Sequence, residues 1–205
     1  MSYCEILESE LQQFQIDLTE PQKASLVTYV EELSRWNKKI NLTGLAGAAL
    51  VRRLVAEPIW IGLQLKADGS LLDIGSGNGS PAIALNAVGC FRECHLIEAR
   101  SKRAAFLRHL TAALSLKNVE VHHARFEDVA LKLAAPDWIS LQAVALTPQL
   151  LALIRRISRP TTRIVWITSS AVEYAGLEPT QSLTVPITGT RVWIVSGAPS
   201  AYPPA

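Results

Sequence analysis

The stretch "LLDIGSGNGSPAIAL", residues 71–85, determines which fold the chain can adopt. Its first four residues are apolar except for Asp73, as in a buried strand, and Gly75, Gly77 and Gly79 then follow at alternate positions. Glycine permits a tight turn and lets a ligand approach the backbone where a Cβ would otherwise stand. In an α/β sheet, ligands bind at the loop after the first strand. The stretch therefore predicts a ligand-binding strand–loop–helix unit.

The spacing of the glycines indicates the kind of ligand. A dinucleotide fingerprint requires G-x-G-x-x-G, whereas Ser80 occupies the last position here and Gly79 comes one residue earlier. The pattern D-x-G-x-G-x-G is instead that of the first motif of class I S-adenosylmethionine-dependent methyltransferases. Asp73 can orient the cationic amino-acid moiety of that cofactor, directly or through water. A glycine-rich turn in another α/β protein is the alternative.

Two later segments extend the predicted cofactor site. The strand "CHLIEA" (94–99) ends in Glu98, where a carboxylate can accept both hydroxyls of a ribose. The segment "ARFED" (124–128) follows the third strand, where this fold encloses the adenine. The predicted cofactor is S-adenosyl-L-methionine. The residues predicted to contact it are Asp73, Gly75, Ser76, Gly77, Gly79, Glu98, Ala99, Arg125, Phe126, Glu127 and Gln142.

Outside this site, strands and helices alternate after residue 66. Predicted strands are 71–74, 94–99, 119–124, 137–143 and 162–168, and an antiparallel hairpin follows in "SLTVPI" and "RVWIVSG". Predicted helices between them are 81–88, 101–116, 126–133 and 148–157. This order predicts an α/β fold, a class I (Rossmann-like) methyltransferase domain with a mostly parallel seven-stranded sheet.

The first 65 residues show helical periodicity and predict an N-terminal helical extension. Helices are expected at 3–14, from an N-cap at Thr19 to about Lys39, and at 48–63 with a break or kink at Pro58. The predicted organisation is an extension at 1–65, a methyltransferase domain at 66–198 and a flexible tail at 199–205.

Composition restricts the remaining function classes. The chain has 20 Lys+Arg against 18 Asp+Glu, so net charge alone does not indicate a nucleic-acid binder. No apolar run reaches the roughly 20 residues that span a bilayer, and the start lacks the pattern of a signal peptide. Three cysteines, an odd number, fit a reducing cytoplasm. Cys90, Cys94 and His95 match no zinc spacing, so no metal is predicted.

Two motifs that the chain lacks restrict which kinds of base atom it can methylate. Exocyclic amine methylation typically uses a D/N-P-P-F/Y loop after the fourth strand, where this chain has "WISLQAVALTP" (138–148). Pyrimidine C5 methylation needs a cysteine nucleophile on that side, and no cysteine follows Cys94. A ring nitrogen such as guanine N7 needs neither group, because its lone pair is free at neutral pH. No general base is expected, and the catalytic residues remain unassigned.

Four segments, taken in order, resemble one family. They are "RWNKKINLTGL" (35–45), residues 71–85, "LIEARSKRAAFLRHL" (96–110) and "LKNVEVHHARFED" (116–128). They are similar to the 16S ribosomal RNA guanine-N7 methyltransferase family, also called the glucose-inhibited division protein B family. The W-N-x-x-x-N-L-T and K-R-x-x-F-L patterns and Pro81 carry the resemblance. It implies a three-helix extension on a class I domain that modifies a guanine in the 530 loop of 16S rRNA.

The chain departs from the family pattern on the acceptor side. Leu141, Gln142 and Ala143 stand where the family has S-R-A, and Thr168 and Ser169 stand where it has lysine and glycine. Arg53 and Glu57 replace a histidine and an aspartate, and Ser80 stands where a bulky aromatic is common. Two alternatives therefore remain open. One is a divergent methyltransferase for another RNA or a small molecule, and the other is a cofactor-binding protein with little catalysis.

Basic side chains remain on the predicted acceptor side. The residues predicted to contact RNA are Lys38, Lys39, Arg52, Arg53 and Arg103. Each can equally be part of a solvated helix face. The predicted partner is 16S rRNA or the small ribosomal subunit, with no membrane and no DNA, and the protein is expected to be a cytoplasmic monomer.

Overall fold

The computed structural model of the protein describes residues 1–168 and 179–196. The N-terminal helices are α1 (Tyr3–Gln13), α2 (Glu20–Asn37), α3 (Gly47–Val51) and α4 (Glu57–Leu65), with one π-helical segment (Arg52–Ala56) between the last two. The predicted tail at 199–205 and the predicted departure at Ser169 lie outside the described residues.

Local side-chain bonds set the ends of the first two helices. At α1, Ser2 Oγ accepts from the Glu5 amide (3.3 Å) and the Glu5 carboxylate accepts from the Ser2 amide (2.7 Å), which is a capping box. α2 ends at Asn37 rather than at Lys39. The Asn37 side chain accepts from the Leu42 and Thr43 amides (2.8 and 3.0 Å), and this turn replaces further helix.

The third predicted helix is continuous but irregular. Helical backbone runs from Gly47 to Leu65, and the predicted irregularity takes the form of a π-helical segment that ends just before Pro58. Pro58 has no N–H to donate to the carbonyl of Leu54, so the regular hydrogen-bond ladder is interrupted there. The wider π turn accommodates this missing bond.

Seven strands form one mixed sheet. They are β1 (Ser70–Ile74), β2 (Glu93–Glu98), β3 (Val119–His123), β4 (Trp138–Gln142), β5 (Arg163–Thr168), β6 (Gln181–Thr184) and β7 (Arg191–Ser196). Their order is β3-β2-β1-β4-β5-β7-β6, with β1–β5 parallel and β7 antiparallel to both of its neighbours. The predicted α/β class, seven strands and terminal hairpin are confirmed, and strand ends differ by at most three residues.

Helices cover both faces of the sheet. α5 (Ala82–Ala87) and α6 (Ser101–Ala113) pack with the N-terminal helices on one face. α7 (Phe126–Val129), a 3-10 turn (Ala130–Lys132) and α8 (Pro148–Ile157) cover the other. The predicted single helix at 126–133 is therefore an α-helical turn followed by a tighter one.

The N-terminal helices share a hydrophobic core with the sheet. Leu26, Tyr29 and Leu33 of α2 are fully buried in the same cluster as Phe106 and Leu107 of α6. The extension thus forms an outer layer on one sheet face, and its division from the rest at residue 65 stays a prediction. Within 1–168 and 179–196, no helix combines the length and the apolar character that a bilayer span requires.

Candidate cofactor and acceptor site

The glycine loop is tied to the neighbouring strand. The amides of Gly75 and Ser76 both donate to the Ile97 carbonyl (2.9 and 3.1 Å). Gly75, Gly77 and Gly79 all have positive φ angles (75°, 48° and 94°), which favour glycine. Added Cβ atoms would stand 2.8 Å from Val144 at Gly75 and 2.8 Å from Ile83 at Gly79, but no closer than 3.6 Å to anything at Gly77. A side chain at Gly77 would therefore meet only ordinary contacts, with Arg103 and the Gly75 carbonyl, and no neighbour packs tightly against this position.

Asp73 lies beneath this loop with one oxygen unused. Its side chain is 1% exposed, and Oδ1 accepts from Ser140 Oγ at 2.5 Å. Oδ2 has no hydrogen-bond partner. Burial raises the pKa of Asp73 to about 7, against the opposing effect of the Ser140 hydroxyl. A buried acceptor without a donor is costly, so this oxygen is suited to a cationic or N–H ligand group.

Glu98 connects the second strand to the loop. Its buried carboxylate accepts from the Gly77 amide (2.9 Å) through one oxygen and from the Arg100 amide (2.7 Å) through the other. A carboxylate offers about four lone-pair sites, so each oxygen can accept one more bond. Glu98 can therefore both fix the loop and receive ribose hydroxyls.

The predicted adenine segment contributes mainly backbone. Arg125 is the N-cap of α7, and the first amides of a helix have no intrahelical partner. The Phe126 side chain is buried in the core with Ile97, whereas Ala99, Arg125 and Glu127 are exposed. Phe126 can therefore line a ligand only through its main chain.

Gln142 lies at the carboxyl end of β4, where the sequence of the acceptor side departs from the family pattern. Its Oε1 is buried and has no hydrogen-bond partner. The next residue, Ala143, has φ 55°, so the chain turns sharply there, and Val144 then faces Gly75. Gln142 thus presents an unsatisfied acceptor on the same edge of the sheet as the glycine loop.

The N-terminal extension forms part of the wall of the site. The sequence did not predict this contact. The Tyr29 hydroxyl donates to the Asn78 carbonyl (3.1 Å) within the glycine loop. Arg103 donates to the Asn41 carbonyl (3.0 Å), and its other guanidinium nitrogen lies beside Gly77. The available signal was the W-N-x-x-x-N-L-T pattern, whose Asn37 shapes the turn that presents Asn41.

The predicted RNA contacts fall into two groups. Lys38 and Lys39 are exposed at the end of α2. Arg52 instead forms a bidentate pair with Glu10 (2.7 and 2.8 Å), and Arg53 pairs with Glu57 (3.1 Å) and Thr190. Glu10 and Glu57 are each only 2% exposed. The two arginines therefore neutralise buried carboxylates, and RNA contact by them stays a prediction.

The residues present fit S-adenosylmethionine. The unpaired oxygen of Asp73 suits its ammonium group, Glu98 suits its ribose hydroxyls, and the missing side chain at Gly77 lets it approach the backbone. None of the three cysteines contributes to a metal-binding group among the described residues. Burial raises the pKa of the Cys90 thiol to about 11, which disfavours the thiolate that metals bind.

Comparisons with known proteins match most of the chain to a protein family. Residues 22–185 match the model of the GidB family, described as rRNA small subunit methyltransferase G. Proteins named ribosomal RNA small subunit methyltransferase G from Wolinella succinogenes and a Geobacter species are 34% and 31% identical. Each alignment covers 78% of this chain, and 82% and 75% of the respective relative.

Solved structures support the fold alone. A point mutant of MtNAS aligns with TM-score 0.62 at 14% identity, covering 94% of this chain and 76% of that one. The C-terminal domain of precorrin-6Y C5,15-methyltransferase from Rhodobacter capsulatus aligns with TM-score 0.54 at 16% identity, covering 75% and 92%.

Proposed function

The chain belongs to the GidB family, rRNA small subunit methyltransferase G, and from that premise we propose that it methylates N7 of a guanine in the 530 loop of 16S rRNA. The observation that carries the proposal is the pair of buried carboxylates, Asp73 and Glu98, on either side of the glycine loop. The cofactor is S-adenosyl-L-methionine, as the family requires.

The chain's own part in the reaction is to bind and align. When bound, S-adenosylmethionine supplies an electrophilic methyl group. Glu98 holds the ribose and Asp73 holds the amino group, so the cofactor is fixed at two ends. Guanine N7 needs no deprotonation, and alignment of two reactants can contribute on the order of 7–11 kcal/mol. This accounts for a site without an assigned general base.

The RNA is held from the extension side. Lys38 and Lys39 are exposed just before the turn at Asn41, to which Arg103 donates, and all three side chains can contact phosphates. Phosphate contacts position the RNA, and Gln142 at the end of β4 can meet either the cofactor or the base. The partner is 16S rRNA or the small subunit, and the protein acts as a cytoplasmic monomer.

A second function is favoured by Gln142 itself. A neutral amide replaces the family arginine there, which removes a positive charge from the acceptor side. The alternatives are methylation of another RNA or a small molecule, and cofactor binding with little catalysis. These alternatives share the cofactor site and differ in the acceptor, or in whether a methyl group is transferred at all.

The test is methyl transfer to unmethylated small subunits. Subunits are purified from a bacterial strain that lacks its own enzyme of this family, incubated with the protein and S-adenosylmethionine, and digested for mass spectrometry. We expect one 7-methylguanine in the 530-loop fragment, and much less of it with a Glu98→Ala control when S-adenosylmethionine is limiting. Transfer at another position, or cofactor binding without transfer, would replace the 530-loop assignment with one of the alternatives.

A further inference from the structure

A cluster of histidine and glutamate side chains lies on the outer end of the sheet, away from the methyl-transfer site. β3 is an edge strand, and it pairs with β2 so that His95 stands opposite Glu120 and Ile97 opposite His122. Side chains two apart on a strand share a face. His95, Glu120 and His122 therefore project from the same face of the sheet, the one that α7 and α8 cover elsewhere.

The ligand atoms of these three side chains converge. His95 Nδ1 lies 3.0 Å from His122 Nε2. The two Glu120 oxygens lie 3.7 Å from His95 Nδ1 and 3.8 Å from His122 Nε2. All three ligand atoms fall within 4.8 Å of one another. Because metal–nitrogen and metal–oxygen bonds are about 2.0–2.2 Å long, one ion can reach all three with small side-chain movements.

A fourth side chain orients the first histidine. His95 Nε2 lies 3.1 Å from a Glu93 oxygen, so this nitrogen carries the proton and Nδ1 presents its lone pair. A carboxylate that holds the far nitrogen of a histidine is the arrangement found behind metal-ligating histidines. The two rings are 17% and 16% exposed, whereas Glu93 and Glu120 are mostly exposed, so solvent can reach the cluster.

We propose that His95, His122 and Glu120 bind a zinc ion, with water as the fourth ligand. Two imidazoles and one carboxylate suit Zn²⁺, and they are too few oxygens for Ca²⁺ or Mg²⁺. The carboxylates of Glu93 and Glu120 supply negative charge around the cluster, which favours a bound cation. The positive charge of Arg108 opposes this effect at His122. The site bridges β2 and β3, so the ion fastens the edge strand to the sheet.

This inference goes beyond methyl transfer and does not depend on it. The cluster lies in the middle of β2 and β3, whereas Glu98 lies at the carboxyl end of β2. The ion has a structural role at the sheet edge. Its signature is therefore a metal-dependent melting temperature rather than a change in chemistry.

The experiment is zinc titration of the full chain after metal removal by chelator. Calorimetry with zinc chloride is expected to give one site per chain, and zinc is expected to raise the melting temperature. The variant His95→Gln/His122→Gln is expected to bind zinc at least 10-fold more weakly and to lose the rise in melting temperature. Glu93→Gln is expected to weaken binding about 10-fold, the lower end for an outer partner.

The matched control is His123→Gln. His123 is the next residue of β3 and faces the opposite side, so its loss is expected to leave zinc affinity unchanged. If the double variant fails to fold, Glu120→Gln changes one exposed ligand and is expected to weaken zinc binding on its own. Absence of zinc binding at millimolar concentration would overturn the proposal. So would zinc binding that survives the histidine changes but disappears in Cys4→Ser.

Discussion

At the residue scale, Asp73 combines burial with an unused acceptor. Its raised pKa of about 7 means that much of this carboxyl is protonated near pH 6.5 in the free protein. A positively charged amino group beside Oδ2 would favour the ionised form. Binding therefore releases a proton when the pH lies near or below the pKa of Asp73 in the free protein but above its lower pKa in the complex.

This gives a pH dependence with a definite sign. We expect S-adenosylmethionine affinity to increase as pH rises from about 6 to 8 and then to level off, since above the pKa no proton has to leave. Calorimetry at several pH values, in buffers of different ionisation heat, measures both the affinity and the released proton. Asp73→Asn should bind weakly and without this slope. A native affinity that falls with rising pH would contradict the role of Asp73.

Glu98 permits a test of the ribose contact. Glu98→Ala should weaken S-adenosylmethionine binding by roughly 1.5–3 kcal/mol, the range for hydrogen bonds to a charged group. Since the change also frees the Gly77 and Arg100 amides, the ribose contact is isolated with a cofactor analogue that lacks the hydroxyls. The analogue should show no further loss in the variant. Additive losses would mean that Glu98 acts only on the loop.

At the scale of elements, the glycine loop contains one position that affects cofactor binding, Gly77, and one that affects packing, Gly79. A Cβ added at Gly79 would lie 2.8 Å from Ile83, whereas one added at Gly77 would come no closer than 3.6 Å to any neighbour. Changing either glycine to alanine places a Cβ on a residue with positive φ, which costs about 1–2 kcal/mol of folding free energy. The additional contact distinguishes the two positions.

We therefore expect two matched variants to differ in which property they lose, cofactor affinity or melting temperature. Gly77→Ala should lose at least 10-fold in S-adenosylmethionine affinity with a small drop in melting temperature, because its methyl group enters the ligand's space. Gly79→Ala should lower the melting temperature more, because Ile83 must shift. Calorimetry and thermal denaturation on both proteins decide this. Equal affinities for native and Gly77→Ala protein would place the cofactor elsewhere.

Arg52, the first residue of the π-helical segment, is a poor probe of RNA binding because it pairs with a buried acid. Its guanidinium neutralises Glu10 of α1, and Arg52→Ala would leave that carboxylate buried and unpaired. We expect a loss of about 2–3 kcal/mol in unfolding free energy, below the range for fully buried pairs because Arg52 is about a third exposed. Urea denaturation measures it. The double variant Glu10→Gln/Arg52→Ala should recover part of the loss, and a neutral single variant would contradict the pairing.

How far the sequence predicts each element depends on the range of its contacts. The β1 strand, its glycines and Glu98 were predictable, because a strand–loop–helix motif is written in consecutive residues. The bonds Tyr29–Asn78, Arg103–Asn41 and Arg52–Glu10 were not, because they join residues that only the tertiary fold brings together. His95 and His122 meet through strand register, which no spacing along one chain reveals.

At the scale of the whole molecule, the family assignment and the fold class are confirmed, and the acceptor surface stays predicted. The exposed lysines at the end of α2 are the better probe of that surface, since neither pairs with a buried acid in the part of the chain that the structure describes. They adjoin the turn that Arg103 holds against the glycine loop. RNA contacts there would bring the substrate to the cofactor.

Changing Lys38 and Lys39 together to Ala should lower RNA affinity and reduce its salt dependence. Each lost phosphate contact removes about 0.7 from the logarithmic salt slope on single strands and about 0.9 on duplex. Filter binding of a 530-loop RNA at several salt concentrations measures the slope, and cofactor affinity should stay unchanged. Lys66→Ala, in the linker before β1, serves as a control. An unchanged slope in the double variant would remove α2 from the RNA surface.

The shared core of the extension and the sheet has a consequence for biosynthesis. The apolar face of α2, with Leu26 and Leu33, leaves the ribosome well before its partners Phe106 and Leu107 are made. Some 70 further residues must be synthesised first, which takes several seconds at about 5–20 residues per second. During that interval part of the apolar surface of α2 stays uncovered. The layer that completes the cofactor pocket is therefore translated first but is packed only after α6 has been made.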